Sequence, residues 1–161
     1  MLRMKTRRNG GDWMQQLRWG DEYRTTLLCV DGYDAGVLRG RFYHPVWPEG
    51  RQVQSLTQFL LQMEDLLNEI DRPQSDTVVR RFRTDTDPRQ EGLPAGREGK
   101  GDQATFRLRV LFRQHTSWQG EITWVENGQT QRFRSVLELI HLLDSALVRE
   151  GTKGGNQTKG A

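Results

Sequence analysis

The chain has a single cysteine, Cys29, so no internal disulfide can form. It sits in the apolar run Leu27–Val30, the place of a small buried core residue. Long apolar stretches are also missing. The basic start, with Arg3, Lys5, Arg7 and Arg8, passes into polar Asn9-Gly10-Gly11-Asp12 instead of an apolar segment, which predicts no secretory signal. Nowhere do about 20 apolar residues follow one another, as a membrane span requires. The expectation is a cytoplasmic, soluble protein with no membrane partner.

Apolar residues are scarce, 34% of 161, which implies that part of the chain stays outside any core. Charge of one sign is not in excess either: 24 Lys and Arg stand against 21 Asp and Glu, a net of +3. Total charge therefore does not single out a nucleic-acid partner, and the placement of the charges has to decide. Signatures of chemistry are absent as well. His44, His115 and His141 have no paired cysteines or regularly spaced carboxylates around them, so no metal site is predicted. There is no nucleophile elbow, no Walker sequence and no dinucleotide fingerprint. The reading is a non-enzymatic protein without a cofactor and without a catalytic residue.

What the chain does have is a repeat. Shifted by 80 residues, positions 25–70 overlie 105–150 without a gap. Leu28 falls on Leu108, Val30 on Val110, Gly40 on Gly120, Ser55 on Ser135 and Leu67 on Leu147. Apolar also meets apolar at helical spacing: Leu56 on Val136, Phe59 on Leu139, Leu60 on Ile140, Met63 on Leu143.

Each copy reads as three strands and a helix. In the second, Phe106, Leu108, Val110 and Phe112 alternate with Arg107, Arg109 and Arg113, the period of a half-buried strand. Gln119–Val125 and Gln129–Phe133 follow as a hairpin around Glu126-Asn127-Gly128, where Asn-Gly accepts the positive φ of a tight turn. The first copy places strands at Thr25–Asp31, Gly36–His44 and Arg51–Gln54, with a turn around Pro48-Glu49-Gly50.

Ser55-Leu-Thr-Gln58 and Ser135-Val-Leu-Glu138 are capping boxes that start helices running to about Ile70 and Arg149, with Gly151 as the stop. Glu64, Asp65, Glu138 and Asp144 are expected nearer solvent. The fold class is thus α+β: tandem β-β-β-α units over 25–70 and 105–150, antiparallel sheet, two helices on one face.

The remainder reads differently. Residues 1–24 form a basic flexible arm and a short segment, in which Trp13, Leu17 and Trp19 suit a helical turn. Within 71–104, Thr77–Arg83 suits an edge strand, and Asp85–Gln103 has the Gly, Pro and charge content of a mobile loop. Residues 151–161 read as a disordered tail.

The segments SWQGEITW (Ser117–Trp124) and FRSVLELIHLLDSAL (Phe133–Leu147) resemble small proteins of clostridial-type gut bacteria, some carried on mobile elements. That family has no activity to transfer. The resemblance implies a bacterial cytoplasmic protein and a mobile-element or defence-related role.

The sharpest functional signal is a basic strand face. With Leu38, Phe42, Phe106, Leu108, Val110 and Phe112 inward, the residues Arg39, Arg41, Arg107, Arg109 and Arg113 point outward together. Such a face can follow a phosphate backbone, with Trp118, Tyr43 or Trp47 as stacking surfaces, so a single-stranded or structured nucleic acid is one expected partner. The layout is similar in general terms to the single-strand-binding Whirly and PUR folds. The alternative is a protein-interaction module, such as a regulator or inhibitor of a host nuclease, in which an apolar patch around Trp47 and Trp118 meets a host protein. Arg alternating with apolar residues is also ordinary for an exposed antiparallel sheet.

Overall fold

A computed structural model describes residues 24–70, 73–75, 80, 82, 94–95, 99–113 and 117–154. The chain forms β1 (Thr25–Asp34), β2 (Val37–His44), β3 (Trp47–Val53) and α1 (Leu56–Ile70), then β4 (Ala104–Phe112), β5 (Gln119–Trp124), β6 (Gln129–Phe133) and α2 (Val136–Gly154). The six strands make one antiparallel sheet in the order β3-β2-β1-β4-β5-β6. Both helices lie on the same side. Leu28, Val30, Leu38 and Phe42 from β1 and β2 join Phe106, Leu108, Val110 and Ile122 in one core with Phe59, Met63 and Leu66 of α1 and Leu139 and Leu143 of α2. Period-two alternation supplies the sheet's share of this core and period-3.6 stripes the helices' share.

Both helices start as the sequence predicts. The Ser55 hydroxyl accepts from the Gln58 N–H at 3.0 Å and that of Ser135 from the Glu138 N–H at 3.1 Å. The return bond reaches one residue beyond the cap: Gln54 N–H donates to Gln58 and Arg134 N–H to Glu138. This contact chiefly holds the Glu138 carboxyl below its usual pKa.

The two central hairpin strands share an irregularity. Between Val30 and Gly32 the β1–β2 register slips by one residue, and the β4–β5 register slips between Val110 and Phe112. These are β-bulges, and each reverses which face the following residue occupies. Opposite each bulge a glycine, Gly40 or Gly120, lets the strands close. A Cβ there would strike the carbonyl oxygen of Cys29 or Arg109.

Several boundaries differ from expectation. The β2–β3 turn is at Pro45-Val46, not Pro48–Gly50, which lies within the edge strand. There Gly50 takes φ 65° and leaves room for the Tyr43 ring. The β1–β2 turn falls on Ala35-Gly36, at φ 49° and 78°. Gly151 does not stop α2, which continues to Gly154, so the first four residues of the expected tail are helical. The expected turn at Trp13–Trp19 lies outside the described residues. Of Thr77–Arg83 only Arg80 and Phe82 are described, and neither is in a strand.

Candidate nucleic-acid interface

The face of the sheet away from the helices carries the residues that alternate with the core. Arg39 and Arg41 reach it from β2, and Arg107 and Arg109 from β4, as the alternation requires. The structure treats them unequally. Arg39 and Arg107 are exposed and have no ion pair or hydrogen bond among the described residues. Arg109 lies 3.6 Å from Glu121 of the neighbouring strand. Arg41 is half-buried: it donates to the Lys100 carbonyl at 2.8 Å and lies 3.4 Å from Asp31.

Arg41 is held down by a roof. Where the sequence predicts a mobile loop, the described end of that loop, residues 99–103, lies along β1. Gly99 O accepts from the Cys29 thiol, Asp102 N–H donates to Asp31 at 3.1 Å, and Gln103 N–H donates to the Val30 carbonyl at 2.9 Å. Further out, Ala95 N–H donates to Glu49 O at 3.1 Å and Pro94 O accepts from Gln52. These bonds, with that of Gly101 N–H to the Thr105 hydroxyl, lay backbone on Cys29 and Thr105, which are buried although they face away from the helices. Backbone groups satisfied by the sheet hold a segment whose side chains offer no core. The rest of Asp85–Gln103 lies outside the described residues.

Two of the expected interface residues belong elsewhere. Arg113 is 3% exposed and points to the helix side, because the bulge at Leu111 turns Phe112 outward and Arg113 inward. It donates to Pro73 O at 2.6 Å, Asn68 Oδ1 at 2.7 Å and Glu64 Oε1 at 3.1 Å. Trp118 is buried too, its indole N–H donating to Glu64 Oε2 at 2.7 Å. Glu64, expected in solvent, is therefore the shared acceptor of both. Tyr43 is buried, and Trp47 is half-buried, with its N–H on Glu69 at 2.9 Å and the Arg51 guanidinium 4.7 Å from its ring centre.

The open part of the face lies over β4–β6. Arg107 faces Thr123, whose hydroxyl meets that of Thr130 at 2.8 Å, and Arg109 faces Glu121, which faces Arg132. Arg132 lies 3.4 Å from the same Glu121 carboxylate. Arg109 and Arg132 thus share one carboxylate, with the unpaired guanidinium of Arg107 on the same strand as Arg109. Phe112, 54% exposed, adds an aromatic ring at the end of β4.

Sequence reasoning missed Arg132 and Phe112. Arg132 was within reach, because the Asn127-Gly128 turn sets β5 against β6 and puts Glu121 opposite Arg132. Phe112 was not, since nothing local announces the bulge.

Among the described residues no three His, Cys, Asp or Glu side chains come close enough to hold a metal ion. No helix among the described residues is long and apolar enough to cross a membrane. No protein-family model, no curated protein and no solved structure matches the chain.

Proposed function

We propose that this chain is a tandem duplication of a β-β-β-α unit whose open sheet face binds the phosphate backbone of nucleic acid without sequence preference. The duplication is supported by equivalences 80 residues apart: the bulges at Val30/Gly32 and Val110/Phe112, and the glycines opposite them. At the centre Leu27 pairs with Arg107, its own counterpart under that shift, while Thr26–Leu108 and Leu28–Phe106 exchange places around it. A local twofold axis through that pair relates the halves.

The observation that carries the binding reading is Arg107, exposed and without an ion pair among the described residues, on one face with Arg109 and Arg132, which both lie against Glu121. Guanidiniums on β4 and β6 offer forked donors to successive phosphates, and Phe112 offers a base a stacking surface. The relevant set is Arg39, Arg107, Arg109, Arg132 and Phe112. Arg41 is engaged by the roof, and Arg113 and Trp118 are structural. The alternative, a host protein docking on Trp47 and Trp118, lacks the exposed apolar patch it needs, because Trp118 is buried and Trp47 is tied to Glu69.

Anisotropy titration of a labelled mixed-sequence single strand tests the reading. Each phosphate neutralised on a single strand adds about −0.7 to the slope of log affinity against log salt. Three contacts therefore predict a loss of roughly twentyfold between 50 and 200 mM salt. The double change Arg107→Ala with Arg109→Ala should weaken binding and flatten that slope. Absence of binding at 50 mM salt, or unchanged affinity in the double variant, would reject the proposal.

A further inference from the structure

The two edges of the sheet are finished differently. β3 carries devices that keep an edge strand from pairing further. Pro48 has no N–H to offer, Gly50 bends the strand at φ 65°, and the β2–β3 register slips between Phe42 and His44. Ala95 N–H already occupies the Glu49 carbonyl. β6 has no proline, no glycine and no register slip, and Gln129 and Gln131 stand where β3 has the charged Glu49 and Arg51, 80 residues earlier. Gln129, Thr130, Gln131 and Arg132 are all exposed, and among the described residues no segment other than β5 makes a backbone bond to them.

The phase of β6 follows from β5. Val125 N–H donates to Thr105 O beside β5, so the alternate residues Trp124, Ile122 and Gly120 direct their backbone groups the other way, to Gln129, Gln131 and Phe133. Thr130 and Arg132 therefore aim their N–H and C=O groups off the edge of the sheet. That set is self-complementary. Two copies of β6 laid antiparallel, with Gln131 opposite Gln131 on a twofold axis, pair Thr130 of each with Arg132 of the other and use every outward group. An axis through Thr130 would instead set Arg132 against Gly128, whose N–H is held in the turn by Val125 O. An axis through Arg132 would set that guanidinium against its own duplicate. The joint between β1 and β4 is already of this kind, with Leu27 opposite its own counterpart Arg107.

We propose that β6 is a dimerisation edge, on which a second copy of this chain adds its own β6 antiparallel and joins the two six-stranded sheets into one. The twofold stands normal to the sheet, so the helices of both copies share one side and the arginine faces the other. Neutral amides meet on the axis, and each Arg132 lies beside a threonine of the second copy. The joint forms without nucleic acid and does not rest on the binding reading. A strand of five residues buries less than the roughly 800 Å² per partner of a standard interface, so the dimer is a weak one.

Sedimentation equilibrium of the full chain, free of nucleic acid, should show the average mass climb from one chain toward two between about 10 µM and about 1 mM. Gln131→Lys sets like charges against each other on the axis and should weaken association at least roughly tenfold. Thr130→Pro removes an outward N–H that β5 does not use, so it should hold the protein monomeric with the sheet intact. Gln131→Cys should oxidise to a covalent dimer roughly tenfold faster than Gln129→Cys, because facing residues of a non-hydrogen-bonded pair stand about 4.5 Å apart, within reach of a disulfide. A protein that stays a single chain throughout that range overturns the proposal, whether a peptide of another protein or another segment of this chain takes the edge. So does undiminished association in a folded Gln131→Lys, an arm that stands even if Thr130→Pro fails to fold. Equal oxidation of the two cysteine variants overturns it as well.

Discussion

Arg113 crosses from the end of β4 to Glu64 of α1, in the opposite half of the chain, at 3.1 Å. Tyr33 makes the reciprocal crossing, its hydroxyl donating to Asp144 of α2. Tyr33 and Arg113 are 80 residues apart, as are Glu64 and Asp144. Each follows the bulge in its strand, which turns it toward the helices. Each half thus latches the helix of the other. A half of about 45 residues buries too little to stand alone, so these crossings help fold the two as one.

Arg113→Ala is expected to destabilise the protein by about 3–5 kcal/mol, because it strips a buried cation from its acceptors and leaves Glu64 half-paired. Arg107→Ala, on the open face, should stay within about 0.5 kcal/mol. Urea denaturation of the two variants measures both. Similar midpoints would contradict the assignment of Arg113 to the interior.

Tyr33 should titrate late. Its hydrogen bond to Asp144, then burial, then the Asp144 charge push its pKa from 10.0 up to about 12. The fold favours the protonated phenol, so this contribution to stability is complete below pH 10 and disappears as pH rises toward 12. Burial also pushes the Tyr43 phenol up, so it is the Tyr33 component of the tyrosinate absorbance that should move back toward 10 in Asp144→Asn. An unchanged curve in that variant would remove Asp144 as the cause.

Gln62 is an opportunity for stabilisation. It is buried on α1 with neither its amide nitrogen nor its oxygen hydrogen-bonded. The corresponding residue of α2 is Leu142. Gln62→Leu should therefore raise stability by roughly 1–2 kcal/mol, by removing polar atoms that lose water and gain nothing. A lower urea midpoint would mean that the amide has a partner in solution.

The thiol of Cys29 reports on the roof. Because residues 99–103 cover it, its reaction with an aromatic disulfide reagent should proceed only as that segment lifts. Asp31→Ala removes the carboxylate that receives Asp102 N–H and Arg41, and should speed the reaction roughly tenfold, the equivalent of one charged hydrogen bond. Immediate reaction in the unaltered protein would show that the segment does not lie on β1.

Residues close in sequence set much of this architecture. The alternation in Phe106–Val110, the Ser55 and Ser135 caps and the Asn127-Gly128 turn each act within a few positions, so strands, helix starts and the β5–β6 hairpin could be read directly. That alternation also placed Arg39, Arg41, Arg107 and Arg109 on one face.

Other features arise only when distant segments meet. The bulge at Leu111 depends on how β4 sits against β5, and by adding one residue it reversed Phe112 and Arg113. Trp118 left the candidate site because Glu64, 54 residues earlier, holds its indole. The segment 99–103 has no side chains with which to build a core, yet its backbone bonds to β1 and to Arg41 hold it on the arginine face, and composition carries no record of such bonds. Short-range periodicity says which way a side chain starts out. Long-range pairing, bulges and burial decide where its charge or ring ends up, because they settle which competing partner is within reach.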